Sequence, residues 1–451
     1  MISVLVYILF VAILFILLMN DTEKRFCALF LGTVLFPSCI WIVDSPQISP
    51  QHILLYSFFA VEILKNYHFF ITTIKEIPIK IPLLLVLFAF CCTVFSNEGL
   101  NPKEYYSLAR YSIELYGYVI AAFLIGRRVN ISEVLRQLFI PLLILGCLGI
   151  IEGLINMNLP YKFICSAFPG YDGFYNLQTD INACDSWRIR TLLTTTHPTA
   201  YGTLLCGILV LYIPLFRNFD ISKYWKLFFY IVFFANLFLC GCRTGMLCTG
   251  IAIAFWIVRK MHIIIKITIV FVLVLSASFV LQKAIDNFTQ ESRGSSLQLR
   301  QQQLIFSLVQ IANKPLFGNG VSYLTKYIFQ TDTYGDRIRD DDIMGMESIL
   351  FPKLINYGFV GLACYFLLSG WIFFYFFRRR ELHPMAQSGY LLIFAITLFF
   401  VLSGNMGNAS AYTYMILGLL MGNIQALEKK PNTEENEPKK IQAETPQQDV
   451  G

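Results

Sequence analysis

Two apolar runs, IIIKITIVFVLVLSASFVL (263–281) and ILFPKLINYGFVGLACYFLLSGWIFFYFF (349–377), bracket a polar stretch from Gln282 to Glu347. Each run is long enough to cross a bilayer. The stretch between them therefore lies on one face of a membrane. It carries charges, a short amphipathic segment and PLFGNG (315–320). In an integral membrane protein, a polar loop of this size is where a substrate from the far side would be met.

The rest of the chain has the same character. Of its 451 residues, 56% are hydrophobic and only 14% charged, against about 25% charged in soluble domains. Most Lys and Arg stand at the ends of apolar runs, as a positive-inside bias requires. The net charge of +6 follows from that placement and gives no reason to expect nucleic acid as a partner. The first apolar segment (2–19) has no basic leader and no small-residue cleavage site, so it reads as a retained span.

Basic turns set the topology. NDTEKR (20–25), KNYHFFITTIKEIPIK (65–80), GRRVNISEVLR (126–136), RNFDISKYWK (217–226), RKMH (259–262) and Arg378–Arg380 mark one face. DSPQISPQ (44–51), SNEGLNPKEYYSLAR (96–110), 156–190, GCRTG (241–245) and SGNMGN (403–408) mark the other. The reading is an all-α polytopic membrane helical bundle of about 12–13 spans, N-terminus outside and C-terminus inside. It forms a single transmembrane domain over 1–427, with a first large outer loop at 156–190 and the main one at 282–347. A second span is expected at 26–43, another near 191–216. The tail 428–451, rich in Pro, Gln and Glu, is expected to be a disordered cytoplasmic segment.

Most of the twelve cysteines lie in apolar runs, where thiols behave as small hydrophobes. Cys165 and Cys184 share the first outer loop and can pair as a disulfide if that loop is extracytoplasmic. No CxxC pair is present and no cofactor is indicated.

Several unusual residues fall on the outer face. Arg188 and Arg190 precede a span, Arg243 sits between Gly241 and Gly245 at a tight helical turn, and Arg300 lies on the insert. A lone arginine there can be a snorkelling anchor. Together they also match the needs of a phosphate site, because a guanidinium fork fits phosphate oxygens. His197-Pro198 opens a span, where Pro is ordinary; the His could serve structure or contact a sugar hydroxyl. In 295–320, Leu297, Leu304, Leu308 and Ile311 recur at a helical period, which Pro315 ends near Asn313; Gly318 and Gly320 then form a tight loop. Asp340–Asp342 read equally as a solvated cap or a divalent-ion contact. Glu347 is the last acid before the apolar run, either a base for a sugar hydroxyl or a helix N-terminal charge.

RTLLTTTHPTAYGTLL (190–205), GCRTG (241–245), LRQQQLIFSLVQIANKPLFGNG (299–320) and MESILFPKLINYGFVGL (346–362) resemble, in order and spacing, segments of the O-antigen ligase / O-antigen polymerase superfamily. The resemblance covers roughly the C-terminal half. It implies a GT-C-like glycosyltransferase architecture in the bacterial inner membrane and a metal-independent, inverting enzyme on the periplasmic face. Its donor would be an undecaprenyl-diphosphate-linked oligosaccharide. Polymerases move the growing chain onto the next lipid-linked unit, with a chain-length regulator as a further partner; ligases move it onto lipid A core. The family's diphosphate-binding arginines correspond to Arg190, Arg243 and Arg300, with Gly318 and Gly320 beside the last, and catalysis would involve Glu347 or His197. Ligases commonly carry a functional His before re-entry, yet this chain has no His between His262 and His383. On that ground polymerase is the first expectation and ligase the second. A polysaccharide flippase or a non-catalytic scaffold would share the arginines; the asymmetric insert and the lack of visible inverted repeats weigh against the flippase.

Overall fold

The computed structural model describes residues 2–19, 22–37, 40–44, 47–167, 183–185, 188–259, 296–321, 323–324, 346, 348–404 and 407–429. Their helices are α1 (Ile2–Met19), α2 (Thr22–Leu35), α3 (Pro50–Lys75), α4 (Lys80–Glu98), α5 (Pro102–Gly126), α6 (Ile131–Ile155), α7 (Leu159–Cys165), α8 (Pro198–Leu215), α9 (Lys223–Leu239), α10 (Arg243–Val258), α11 (Ser296–Ile311), α12 (Leu350–Arg379), α13 (Pro384–Ser403) and α14 (Ala409–Lys429). Two short antiparallel strand pairs, 43–44 with 47–48 and 183–185 with 188–189, are the described β-structure.

Polar caps start the helices where the sequence supplies them. Ser49 and His52 form a reciprocal capping box on α3, Asn101 and Pro102 open α5, and Asn130 accepts from Ser132 N at 3.0 Å to open α6. α8 is buried almost all round and α14 is buried along most of its length, so these two form the centre. α1, α4 and α9 expose rows of large apolar side chains, as lipid-facing helices do.

The closest helix pair is α5 with α14. Gly418 and Gly422 on α14 meet the Val119 and Phe123 carbonyls, and Gly126 on α5 meets the Leu419 carbonyl; a Cβ at any of the three would collide with backbone. In lipid, where apolar side chains gain little by leaving their surroundings, such small-residue contacts are a main source of helix association.

Short connections make successive helices antiparallel and sort the loops to two ends. One end holds Arg25, Arg127, Arg128, Arg217, Arg259 and Arg378–Arg380. There Glu62 is buried between Arg25 (2.9 Å) and Arg128 (2.8 Å), next to the irregular turn at Asn66 in α3. The opposite end holds the connections 156–158, 190–197 and 240–242, and residues 404 and 407–408.

The chain is therefore an all-α, multi-pass membrane protein of inner-membrane type. Among the described residues, six helices (α4, α5, α6, α8, α12, α13) have the length and apolarity of a span, fewer than the 12–13 expected. The 263–281 run lies outside the described residues. α2 stops at Leu35, short of residue 43. The basic 65–80 stretch belongs largely to α3, which passes an irregular turn at Asn66 and runs on to Lys75. α4 runs to Glu98 and α5 starts at Pro102, so all of the expected 96–110 loop except 99–101 is helix. Glu428 and Lys429, expected in the tail, are helical, and Glu428 pairs with Arg379 at 2.7 Å; residues 430–451 lie outside the described residues.

Candidate functional site

The end opposite the basic one is built around an irregular segment, 190–197. The sequence suggests a span from 191, but the helix starts only at Pro198. Leu193 takes a left-handed φ of 55°, and the backbone N–H groups of this turn need partners that no helix supplies. Glu152 of α6 provides them. Its Oε1 accepts from Leu192 N (2.7 Å), Leu193 N (3.2 Å) and Asn158 Nδ2 (2.7 Å). Asn158 Nδ2 also donates to the Arg190 carbonyl at 3.2 Å. Thr194 and Thr195 tie the turn down further through the Val34 and Leu192 carbonyls.

This scaffold places Arg190 against the turn between α9 and α10. Gly241 there has φ +60°, and a Cβ on it would stand 3.4 Å from Arg190 Nε. Thr191 N donates to Leu239 O, joining the two turns through the backbone. Two residues on, Arg243 opens α10 and is exposed. Cys242 at the cap makes no side-chain capping bond, and a helix N-terminus of this kind favours an anion.

His197 lies on the same turn. Its Nδ1 accepts from Thr199 N at 3.1 Å and so caps α8. Burial, with the Arg190 charge beside it, lowers its pKa to about 4. The ring is then neutral at neutral pH, with Nδ1 committed to the cap and its proton on Nε2. That arrangement suits hydrogen-bond donation far better than proton abstraction.

The segment before α12 meets this site from the other side. Thr244 hydrogen-bonds Ser403 at the end of α13. Ser348 Oγ donates to Val401 O (2.7 Å) and Ile349 N to Phe400 O (2.9 Å), on the same last turn of α13. Position 347 itself lies outside the described residues, but both its neighbours are buried here. Asp340–Asp342 also lie outside them.

The insert joins through a backbone lock. Gly358, at φ +65°, breaks α12. Phe359 N donates to Pro315 O (2.9 Å) and Val360 N to Leu316 O (3.1 Å), while Asn319 N and Gly320 N donate to Ile355 O and Asn356 O. The PLFGNG loop thus satisfies the groups that the break in α12 exposes, as a membrane interior demands. A Cβ at Gly318 would strike the Asn356 backbone. Gly318 is therefore accounted for by backbone packing, and Gly320 by its φ of +119°. Arg300 is half-buried in the second turn of α11, whose chief packing partner is α12. The buried face of α11 is Gln303, Ser307 and Ile311; Leu304 and Leu308, expected with Ile311 on one apolar stripe, are exposed.

Arg190, His197 and the Gly241–Arg243 turn are thus brought together directly, the flanks of Glu347 join them through α13, and Gly318 and Gly320 join through α12. Cys165 is buried in α7; the side chain of Cys184 lies outside the described residues, so their pairing does too. Two buried residues were missed in the sequence. Glu152 was legible only as an acid within an apolar run, a position that is costly in lipid and so signals a role. Lys353 lies 3.4 Å from the Tyr111 hydroxyl, its Nζ over the rings of Tyr357, Phe90 and Tyr111, with no ion pair among the described residues.

Fold and site define a multi-pass helical membrane protein with a cationic cluster at the end away from its basic loops. Residues 227–366 match the family model described as O-antigen ligase, and over this segment the chain is similar to that family. The matched segment spans α9 to α12 and contains Gly241, Arg243, Arg300, Gly318, Gly320 and Glu347; Arg190 and His197 precede it. No curated protein matches the chain.

Proposed function

We propose that this protein is a ligase-type glycosyltransferase that moves a glycan from a polyprenyl diphosphate onto an acceptor hydroxyl such as that of lipid A core. The supporting observation is the junction of Arg190 and His197 with the Gly241–Arg243 turn, at the end where Ser348 and Ile349 also dock. The family description favours ligase over the polymerase expected first from the sequence.

In this reading the acceptor oxygen attacks the anomeric carbon as the bond to the diphosphate breaks. Arg190, Arg243 and the start of α10 stabilise the charge that grows on the departing diphosphate. Arg300 reaches the same lipid-linked donor from α11. His197 donates through Nε2 to a sugar or phosphate oxygen. Glu347 takes the proton from the acceptor hydroxyl. The architecture would be of the GT-C-like kind, with the insert covering the glycan and the isoprenoid tail in lipid.

The polymerase is the second reading, favoured by the absence of any His between His262 and His383. Purified protein in lipid, supplied with its host's lipid-linked glycan, separates the two. Transfer that requires added lipid A core, and that fails in Arg243→Ala, Arg190→Ala and Glu347→Gln while the variants stay folded, supports the ligase. A ladder of longer lipid-linked chains without core makes it a polymerase. Native substrates with neither product overturn both.

A further inference from the structure

At the basic end, far from the proposed transfer site, the ends of α8, α10, α12 and α13 enclose a cavity of about 840 Å³. Arg217, Arg259 and Arg380 line it together with Trp256, Gln387 and Tyr390. Three guanidinium groups face one carboxylate there, that of Glu381, which is mostly exposed and pairs with Arg380 at 3.2 Å. Arg217 and Arg259 form no ion pair among the described residues.

The cavity is built rather than incidental. Arg217 sits on a short 3₁₀ turn, Phe216–Asn218, which Lys226 Nζ pins by donating to the Phe216 and Phe219 carbonyls at 2.6 and 2.7 Å. Gln387 Nε2 donates to the Arg380 carbonyl at 2.9 Å and fixes the opposite wall. Arg259 hydrogen-bonds the Tyr390 hydroxyl and approaches the Trp256 ring at 5.8 Å. Trp256 Nε1 is buried and has no hydrogen-bond partner among the described residues. A buried indole N–H is a donor that ordinarily finds an acceptor.

The surroundings choose between sources of that acceptor. Phe255 and Ile257 also line the cavity and are about half exposed, 45% and 48%, on the lipid-facing side of α10. An anion entering here can keep acyl chains in the bilayer; a soluble phosphate gains nothing from that wall. Basic pockets between helix ends on this side of a membrane suit lipid phosphates.

We propose that this cavity binds the phosphate of an anionic membrane phospholipid, held by Arg217 and Arg259 and by the Trp256 indole N–H, with its acyl chains along Phe255 and Ile257. The lipid would tie α10 to α13 at the end opposite the transfer site. Nothing in it depends on the transfer reaction.

The test is native mass spectrometry of the full-length protein released from detergent with phosphatidylglycerol, phosphatidylcholine or inorganic phosphate. Phosphatidylglycerol is expected to stay bound in preference to phosphatidylcholine. Arg217→Gln and Arg259→Gln should each weaken that binding about fivefold. Trp256→Phe, which keeps an aromatic ring and removes the donor, should weaken it with little risk to folding. Arg136→Gln, at an exposed arginine of the same end outside the cavity, should leave it unchanged. Equal retention of the two lipids, or equal loss in Arg136→Gln, overturns the proposal. Displacement of the lipid by millimolar inorganic phosphate overturns the lipid source and leaves a site for soluble phosphate.

Discussion

Glu152, inside α6, accepts the backbone N–H of Leu192 at 2.7 Å, and so a carboxylate on one helix shapes the turn that carries Arg190 on another. Glu152→Leu would leave Leu192 N, Leu193 N and the Asn158 amide short of an acceptor. Each such buried group costs about 1–3 kcal/mol. The variant is expected to lose thermal stability in detergent and to lose glycan transfer. Glu152→Gln keeps an acceptor oxygen and should retain most of both. Equal stability in the leucine variant would show that the turn holds its shape without Glu152.

Gly241 adopts φ +60° with Arg190 against it. A left-handed backbone costs an ordinary L-residue about 1–2 kcal/mol. Gly241→Ala should therefore fold with a small drop in melting temperature. Displacing Arg190 and Arg243 by even a fraction of an ångström should nevertheless cut transfer steeply, on the order of 100-fold for a 1 Å shift. Transfer that falls no more than stability does would separate this turn from the chemistry.

His197 has a pKa of about 4, below its ordinary value of 6.5, because burial and Arg190 disfavour its charged form. The unfolded chain then binds the extra proton first. Stability from the neutral ring is fully present above pH 6.5, is lost progressively as pH falls toward 4, and changes no further below that. Within this window the slope is at most about 1.4 kcal/mol per pH unit. His197→Asn keeps a side-chain acceptor for the α8 cap but does not titrate. Melting temperatures at pH 7 and pH 5 should fall more in the wild type than in His197→Asn. Parallel falls would assign the acid sensitivity elsewhere.

Gly358 breaks α12 so that Phe359 N and Val360 N reach the Pro315 and Leu316 carbonyls. Any Cβ on Gly358 meets those carbonyls as well as a strained φ. Gly358→Ala should cost roughly 2–4 kcal/mol from strain and lost backbone bonds together. It should also expose residues 314–321 to a protease that spares them in the wild type. An unchanged digestion pattern would mean that the loop is held by other contacts, such as Asn97 with Gly318.

Arginines on the minority face and glycine-flanked turns were visible along the chain because they break a pattern set by the bilayer. The support beneath them was not. Glu152 stands 38 residues before Arg190, and the Ser348–Val401 contact joins residues 53 apart. No local periodicity signals either. The stripe of Leu304 and Leu308 on α11 was legible as a face but not as the exposed one, since the buried face contains Gln303 and Ser307. Membrane burial of polar groups follows hydrogen-bond partners, and partners are tertiary.

From the sequence alone came the class: apolar runs, basic turns and a polar insert require a multi-pass helical protein, because only closed hydrogen-bonded elements survive in lipid. The sequence also placed Arg190 and Arg243 on a common face, since the positive-inside rule acts on each loop separately. Tertiary structure alone decided where α8 begins, which carboxylate holds its turn, and that PLFGNG seals a break in α12. Those outcomes depend on which unsatisfied backbone group meets which distant acceptor, and that is set by how the helices pack rather than by any segment in isolation.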